Sequence, residues 1–478
     1  MLKGNYPSLL VLAALALARG LALDVRAGET SNPPPKSAHS AIMDWWNGNY
    51  ATGRWLGVRD TLEDHGLGLR CEWKANVLWN VDGGRQQRFG YDDEWKFLGN
   101  LDFARLTGWD PLQGLALTSA VRYRGGAGVN KWVGASRYFA PSNFQGGRLW
   151  RFLTAYLTYT TPRLFGIRDF LTVSGGWQNP SDFFIVRPGS KFFINNTFNS
   201  GRALAGSGIP WGGSYSAWGG YLKVKPVDWH YIQGGLYLAI PEGAATSNHG
   251  LDFQGYGPNP DLNGLYFLAE TGFTPKFGPA KLPGRYASGF VYFGVENESF
   301  VSQQTNDGRF AFYWQADQML YRAPSPDEAS PLTAEQSQGK SPRAGESFQG
   351  AVPEVNPRLS EKGLYLMSLV SFAPGYNNAL PFYFHLGLIY KGLIPARDKD
   401  QVGAGVAYGN FSFDKIKGET DRGIGIHQTY EAVVEFDYRI QLNSWSYVQP
   451  VMEYIVRPNG TGLIQNAIVL GFQIGMTF

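Results

Sequence analysis

The chain ends on a stretch that alternates strictly between apolar residues and small or polar ones. From Ile468 to Phe478 every even-numbered residue is apolar, whereas the odd-numbered positions carry valine, glycine, glutamine or threonine. A period of two residues is that of a β-strand with one apolar face. The pattern therefore predicts a closing strand whose apolar face is covered by lipid or by a large core; a soluble edge strand is the alternative.

Fifteen further stretches share this alternation. The clearest runs from Tyr430 to Leu442, where Glu431, Glu435, Asp437 and Arg439 occupy alternate positions. Charges at every second residue require water, so the opposite face must contact lipid or a very large core. The sixteen predicted strands span residues 67–81, 95–106, 114–124, 150–160, 169–178, 215–225, 229–240, 264–274, 286–296, 309–321, 363–373, 382–391, 401–411, 429–442, 445–456 and 466–478.

The length and number of these strands predict an all-β protein, a transmembrane antiparallel β-barrel of sixteen strands. A tilted strand of about ten residues crosses a bilayer, whereas strands of soluble sandwiches average about six. An even number places both chain ends on the periplasmic side, where turns are short, and the long connections on the outer side. The two longest early outer loops, 125–149 and 179–214, are expected to fold inward and narrow the barrel.

The N-terminal region has the layout of a secreted protein. Lys3 precedes an apolar run from Leu9 to Ala18, which is too short to span a membrane and is followed by small residues. We expect a signal peptide over 1–27, cleaved near 20 or 27, then a flexible linker over 28–44. A short periplasmic helical segment over 45–66 and the barrel over 67–478 follow, with a loose insertion at 322–362. This organisation predicts the outer membrane of a Gram-negative-type bacterium.

Composition narrows the remaining classes. The 478 residues carry a formal charge of +3, which gives no reason to expect nucleic-acid binding. Outside the N-terminus no run approaches the roughly 18 apolar residues of a spanning helix. Cys71 is the only cysteine, so an internal disulfide is impossible, and its strand position predicts an inert lipid-facing thiol. The sequence implies no cofactor and no metal, although calcium at acidic loop tips stays open.

Several motifs resemble those of the carbohydrate-selective outer-membrane porins, the OprB family. They are GRWLGVR at 53–59, NVDGG at 80–84, GW at 108–109, QADQMLYR at 315–322, GLIPARDKD at 392–400, VQP at 448–450 and YIVRPNG at 454–460. The sequence departs from the family pattern at Arg54-Trp55-Leu56-Gly57. Family members usually have an acidic residue, a tryptophan and two glycines there. The resemblance implies passive diffusion of mono- and oligosaccharides, with sugars as solutes and outer-membrane lipid as surroundings. It leaves the oligomeric state open between monomer and trimer.

The C-terminal residues also resemble the signal that the barrel-insertion machinery reads in outer-membrane proteins. This signal combines a terminal aromatic residue with alternate apolar residues. Here these positions are Phe472, Ile474, Met476 and Phe478.

Candidate sugar-binding residues are the polar side chains that the alternation places on the inner face. Sugar hydroxyls both donate and accept hydrogen bonds, so a selective lining needs guanidinium groups, carboxylates and aromatic faces close together. The predicted pore lining consists of Arg70, Glu72, Lys74, Asp102, Arg122, Arg124, Glu270, Asp317, Glu435, Asp437, Arg439 and Glu453, with Trp132, Tyr138 and Trp211 from loops.

Three other functions remain open at this point. A general diffusion porin would have the same barrel without preference for sugars. An outer-membrane hydrolase would need a nucleophile beside a base, but the six histidines are scattered and no Gly-x-Ser-x-Gly accompanies them. A secreted glycan-binding β-protein would expose long apolar faces to water, which promotes aggregation.

Overall fold

The computed structural model describes residues 38–144, 149–187, 189–198, 204, 208–211, 215–239, 247–251, 264–324, 359 and 361–478. The expected signal peptide, the first part of the expected linker and nearly all of the expected 322–362 insertion lie outside these residues. None of the helices in the described part of the chain is long and apolar enough to cross a membrane.

In the described part of the chain sixteen long antiparallel strands form one sheet, to which the two-residue strand Lys276–Phe277 is added. We number them β1 Leu67–Gly84, β2 Phe89–Asp102, β3 Leu115–Ala127, β4 Leu149–Thr160, β5 Leu171–Gln178, β6 Ala217–Val227, β7 His230–Ala239, β8 Gly264–Phe273, β9 Leu282–Phe293, β10 Arg309–Arg322, β11 Gly363–Phe372, β12 Phe382–Lys391, β13 Gln401–Asn410, β14 Tyr430–Gln441, β15 Ser446–Val456 and β16 Gln465–Thr477. The predicted strand number is confirmed.

The sheet closes on itself. Trp73 of β1 lies opposite Trp95 of β2 on one side and opposite Met476 of β16 on the other. Each remaining strand pairs with the strand before it and the strand after it along the chain. No strand of the barrel is therefore left with an unpaired edge, which is the condition for a sheet to stand in hydrocarbon.

The predicted alternation separates the two faces of the wall. In β14 the Glu435 side chain is completely buried on the inner face, whereas the next residue, Phe436, is 52% exposed on the outer face. Trp79, Trp314, Leu236 and other large apolar residues are likewise exposed on the outer face. An apolar outside and a polar inside are the reverse of a soluble core and match a wall surrounded by lipid.

Several predicted strand boundaries are wrong. Residues 82–94 were expected to form an outer loop, but β1 continues to Gly84 and β2 already begins at Phe89. Two acidic residues of this stretch are paired inside the barrel: Asp92 accepts from Ser142 Oγ of the connection after β3 at 2.8 Å, and Glu94 accepts from Arg124 Nε of β3 at 2.6 Å. At its other end β2 stops at Asp102 rather than at 106, because Asp102 accepts from Arg105 N and caps a helix over Phe103–Thr107. The ninth strand begins at Leu282 and ends at Phe293, slightly earlier than predicted.

We call the end of the barrel at which β1 begins and β16 ends the proximal end, and the opposite end the distal end. A helix over Ala38–Trp46 begins within the stretch expected as a linker, and the expected helical segment contains a 3-10 turn, Trp55–Gly57, and a helix, Val58–Asp64. Ala51 N donates to Thr477 O at 2.8 Å, so this segment is tied to the last strand.

Closure depends on a close backbone approach at Gly471. A Cβ at this position would lie 2.1 Å from the carbonyl oxygen of Val77 in β1. We expect Gly471→Ala to destabilise the folded barrel by about 1–3 kcal/mol, because the two strands must separate to admit the methyl group. The temperature at which the purified protein loses its folded mobility on a semi-native gel measures this loss.

Gly425→Ala is the matched control, because a Cβ at Gly425 meets nothing within 4 Å and its backbone is in an ordinary conformation. Equal unfolding temperatures for Gly471→Ala and Gly425→Ala would show that close backbone packing at Gly471 does not stabilise the barrel.

Candidate functional site

Part of the lumen is filled by the chain that follows β5. We call residues 179–198, of which Pro188 is not described, the lumen segment. Its side chains Phe183, Phe184, Ile185, Phe192, Phe193, Ile194 and Phe198 are all buried. Phe183 stacks on Tyr221 of β6 with ring centroids 4.3 Å apart, and Phe198 packs against His385 of β12 at 5.6 Å. The segment therefore lies against the inner wall.

Glycines on the inner wall make room for these rings. A Cβ at Gly403 would lie 2.3 Å from Phe192 Cε1, and a Cβ at Gly405 would lie 2.8 Å from Phe198 Cε1. Both glycines lie on β13 at inward positions, so any side chain there would push the lumen segment away. This row of inward glycines is the sequence signal that locates the segment.

Three of the predicted site residues hold the lumen segment to β14 and β15. Glu435 Oε1 accepts from Ile194 N at 2.6 Å and from Asn195 N at 3.2 Å, and Glu453 Oε2 accepts from Asn195 Nδ2 at 2.8 Å. Gln449 Nε2 connects Asp437 Oδ1 to Phe192 O, both at 2.7 Å. These carboxylates are covered by the segment and do not line an open passage.

A second anchor lies on β11 and β12. Arg187 donates to Ser368 O at 2.9 Å and contacts His385 Nε2, while Tyr383 donates to Thr197 O at 2.7 Å and lies 2.8 Å from His385 Nδ1. These contacts are all satisfied when His385 is protonated on Nδ1. It then donates to the Tyr383 hydroxyl, and its Nε2 accepts from Arg187. Burial lowers the pKa of Arg187, and the nearby negative charge of Asp317 partly offsets this by raising it. His385 is therefore a positioning residue for the segment.

The connection after β3 also folds against the inner wall. Ser136 N donates to both carboxylate oxygens of Glu431, at 3.1 and 3.3 Å, and Asn76 Nδ2 donates to Ser142 Oγ at 2.9 Å. Asn196 N donates to Ala140 O at 3.0 Å, which joins this connection to the lumen segment. Both of the long loops expected to fold inward thus contact inner-face residues.

Glu270 belongs to a buried network on β7 to β10. Its carboxylate accepts from Tyr231 at 2.7 Å, Gln233 at 3.0 Å, Arg285 at 2.9 Å, Tyr313 at 2.7 Å and Gln315 at 3.0 Å. Asp317 lies on the same side, with Oδ2 4.0 Å from Arg285 Nη1. Since Glu270 and Arg285 are at most 3% exposed, this network stabilises the wall and is closed to a solute.

A further set of charged side chains lies on the inner face of β1, β2 and β3, and all of them except Arg122 are at least partly exposed. Arg70 pairs with Glu72 at 2.7 Å on β1, and Glu94 of β2 pairs with Arg124 at 2.6 Å and with Arg122 at 3.6 Å on β3. Lys191 of the lumen segment lies within electrostatic reach of these strands, since the charges of Lys96, Glu72, Lys74 and Asp182 act on it. We call this set of residues the eyelet: Arg70, Glu72, Lys74, Glu94, Lys96, Arg122, Arg124, Asp182 and Lys191.

Enclosure of Lys191 by the barrel lowers the pKa of its ammonium group, and the nearby charge of Lys96 lowers it further. Asp182 on the same segment has a raised pKa, chiefly because of burial, with Lys96 and Lys191 acting in the opposite direction. Arg439 joins this region to the segment anchor, because its Nη2 donates to Lys191 O at 3.1 Å and its Nε donates to Gln449 Oε1 at 2.6 Å.

Besides the carboxylates of the anchor and of the Glu270 network, four more predicted residues lie away from the eyelet. Asp102 caps the short helix at the proximal end of β2. Trp132 is held between the cations of Arg88, 4.8 Å from its ring, and Lys131, 4.3 Å away. Trp211 and Tyr138 are only 8% and 9% exposed. The structure therefore brings together Arg70, Glu72, Lys74, Arg122 and Arg124, with Arg439 beside them at Lys191, and separates them from the other predicted residues.

The sequence reasoning missed Lys96, Glu94, Asp182 and Lys191. The signal for the first two was present: Trp95 is an outward residue, so its neighbours on both sides must point inward. Lys191 and Asp182 lie outside any strand, where alternation gives no information.

A model of the family described as carbohydrate-selective porin, OprB family, matches residues 86–478. Porin B of Pseudomonas aeruginosa is 25% identical over 92% of this chain and 94% of its own length, and the putative porin QuiX of Acinetobacter baylyi is 21% identical over 91% and 95%. The high-pH structure of Pseudomonas putida OprB superposes with a TM-score of 0.74 at 21% identity, covering 90% of this chain and 99% of that one. The low-pH structure gives a TM-score of 0.53 at 18% identity over the same shares.

Removing the Glu435 carboxylate should loosen the lumen segment. In Glu435→Ala the backbone N–H groups of Ile194 and Asn195 lose their acceptor, at a cost of about 1–3 kcal/mol. We expect the single-channel conductance in planar bilayers to rise, because the segment then leaves the wall for part of the time.

Glu298→Ala is the control, since Glu298 is exposed on a short hairpin between β9 and β10 at the distal end of the barrel. A Glu435→Ala protein that keeps its folded gel mobility and shows the parent conductance would refute the anchoring role.

Proposed function

The chain belongs to the carbohydrate-selective porin family, the OprB family, and we propose that it lets small sugars diffuse passively across the outer membrane through a barrel narrowed by its lumen segment. The family and the fold are those of a channel, which argues against the hydrolase alternative. The observation that carries the proposal is the attachment of the lumen segment to Glu435 and Glu453, because it leaves the eyelet as the polar passage.

The eyelet has the groups that a sugar requires. Guanidinium groups of Arg122 and Arg124 lie beside the Glu94 carboxylate, so adjacent hydroxyls of a sugar find both donors and an acceptor. The two guanidinium groups and the carboxylate are already partly satisfied by one another, so each sugar is bound weakly. Weak binding suits a channel, because a solute must leave as readily as it enters.

The outer surface and the chain end support the proposed location and assembly. Phe478 stacks on Trp95 with ring centroids 5.6 Å apart, and its backbone N–H donates to Cys71 O at 2.7 Å. Together with Phe472, Ile474 and Met476, it offers the insertion machinery an aromatic end on an outward apolar face. Lipid then covers this face in the finished barrel.

Planar-bilayer conductance tests the proposal directly. The detergent-purified protein is inserted into a bilayer in potassium chloride, and glucose or a maltooligosaccharide is added in steps. We expect saturable inhibition of the ion current by sugar but not by an amino acid at equal osmolarity. Equal, non-saturating effects of both solutes would identify a general diffusion porin instead.

Replacing both eyelet arginines should weaken the sugar effect. In Arg122→Ala/Arg124→Ala the Glu94 carboxylate remains without its two guanidinium partners, and sugars lose their main donors. We expect the glucose concentration for half-inhibition to rise about fivefold to thirtyfold, as removal of one to two weak polar contacts implies.

The matched control is Arg163→Ala/Arg168→Ala, which removes two exposed arginines from the proximal hairpin between β4 and β5. Unchanged glucose inhibition in the eyelet variant, with unchanged ion selectivity, would remove Arg122 and Arg124 from the proposed site.

A further inference from the structure

The eyelet carries more positive charge than its carboxylates balance. Six of its nine side chains are basic and three are acidic. Two of the three carboxylates, Glu72 and Glu94, are already paired with arginines at 2.7 and 2.6 Å. One arginine charge and the three lysines are therefore left in excess, with Asp182 as the remaining carboxylate.

Lys74, Lys96 and Lys191 come from two adjacent strands and the lumen segment. Among the residues that the structure describes, none of these three ammonium groups has a carboxylate oxygen within 4.0 Å. Lys191 is exposed to the lumen, whereas Lys74 and Lys96 are half-buried. Lys74 and Lys96 lie opposite Glu94 and Glu72 on the paired strands, and Arg439 of β14 donates to Lys191 O at 3.1 Å. Lys96 and Lys74 act on Lys191 as like charges, with Glu72 and Asp182 acting in the opposite direction. An anion that enters beside Lys191 in this confined passage gains from the three positive charges together.

From this arrangement we infer that the preferred solutes are hydroxylated carboxylates, that is, sugar acids, rather than neutral sugars. The inference rests on the proposed function, because it names the solute class of the same eyelet.

The chemistry of the two partners is complementary. A carboxylate only accepts hydrogen bonds and an ammonium group only donates them, whereas a hydroxyl does both. A sugar acid can place its carboxylate among Lys74, Lys96 and Lys191 while its hydroxyls meet the Arg122, Arg124 and Glu94 group. A neutral sugar uses only the second set of contacts. A simple carboxylate such as acetate uses only the first set.

Inhibition of the ion current by four solutes separates these cases. D-gluconate, sorbitol, acetate and glucose are titrated onto the native protein in planar bilayers, with ionic strength held constant by exchange against chloride. Sorbitol has the open six-carbon chain without the carboxylate, and acetate has the carboxylate without the hydroxyls. We expect gluconate to half-inhibit the current at a concentration at least tenfold lower than any of the other three.

The variant Lys74→Gln/Lys96→Gln/Lys191→Gln tests the assignment to the lysines. We expect the ratio of half-inhibiting concentrations, gluconate to glucose, to rise at least tenfold, and the preference of the channel for chloride over potassium to fall. The control Lys276→Gln/Lys281→Gln/Lys417→Gln removes the same charge from exposed positions away from the eyelet and should leave both quantities unchanged.

The outcomes distinguish this inference from the function on which it rests. Inhibition by glucose without preference for gluconate overturns the inference and leaves the sugar channel intact. Equal inhibition by acetate and gluconate overturns it in favour of plain anion binding. A gluconate preference that survives in the lysine variant overturns the role of the three lysines. Absence of inhibition by all four solutes refutes the proposed function itself.

If the eyelet lysine variant fails to insert, the same comparison is made with Lys191→Gln alone. Lys191 lies on the lumen segment rather than on a strand, so its substitution leaves the hydrogen bonds of the wall in place. The gluconate to glucose ratio should then rise about threefold, and an unchanged ratio would overturn the inference.

Discussion

The pairing of β1 with β16 is the interaction on which the rest of the molecule depends. Hydrocarbon offers no partner to a backbone N–H or carbonyl group, so a sheet in a bilayer must leave none unpaired. Along Glu72 to Gly84 the first strand meets the last, with register shifts only near the distal end. Once the sheet is closed, side-chain direction is fixed, and every alternate residue must face either lipid or the lumen.

Closure creates a second problem, because sixteen strands enclose a hole too wide to distinguish small solutes. The inner wall solves it with two residue types. Inward glycines on β13 accept the rings of Phe192 and Phe198, and inward carboxylates on β14 and β15 bind the backbone of the same segment. The lumen segment thus has one apolar and one polar attachment, and both depend on side chains that point away from lipid.

The sequence was sufficient to predict the fold, because alternation is a local property of each strand. The strands from β10 to β16 were placed to within a residue or two, since apolar and polar residues alternate there without interruption. The start of β2 was missed because Asp92, Asp93 and Glu94 have the composition of a loop. Their partners, Ser142 and Arg124, are 50 and 30 residues away, and a single sequence gives no sign of such distant pairs.

The candidate site was predicted less well for the same physical reason. Glu435, Glu270 and Arg70 have the same position in the alternation, and nothing local to their strands distinguishes them. In the folded chain Glu435 binds the lumen segment and Glu270 is enclosed by five donors, whereas Arg70 faces the water of the lumen. What separates them is the path of residues 179–198, which is set by packing and not by strand period.

Only the inner-face side chains that the protein itself leaves unoccupied can determine solute preference. The wall carboxylates Glu431, Glu435, Glu453 and Glu270 are occupied by the protein's own donors, so they add no acceptors to the passage. Arg70, Lys74 and Lys96 of β1 and β2 keep part of their side-chain surface open to the lumen, whereas Arg122 of β3 is only 5% exposed. Barrels of one family can therefore share the strand pattern at 21–25% identity and still present different charges to a solute. The residues to compare between such barrels are those that the lumen segment leaves uncovered, since changes there alter the passage without disturbing the wall.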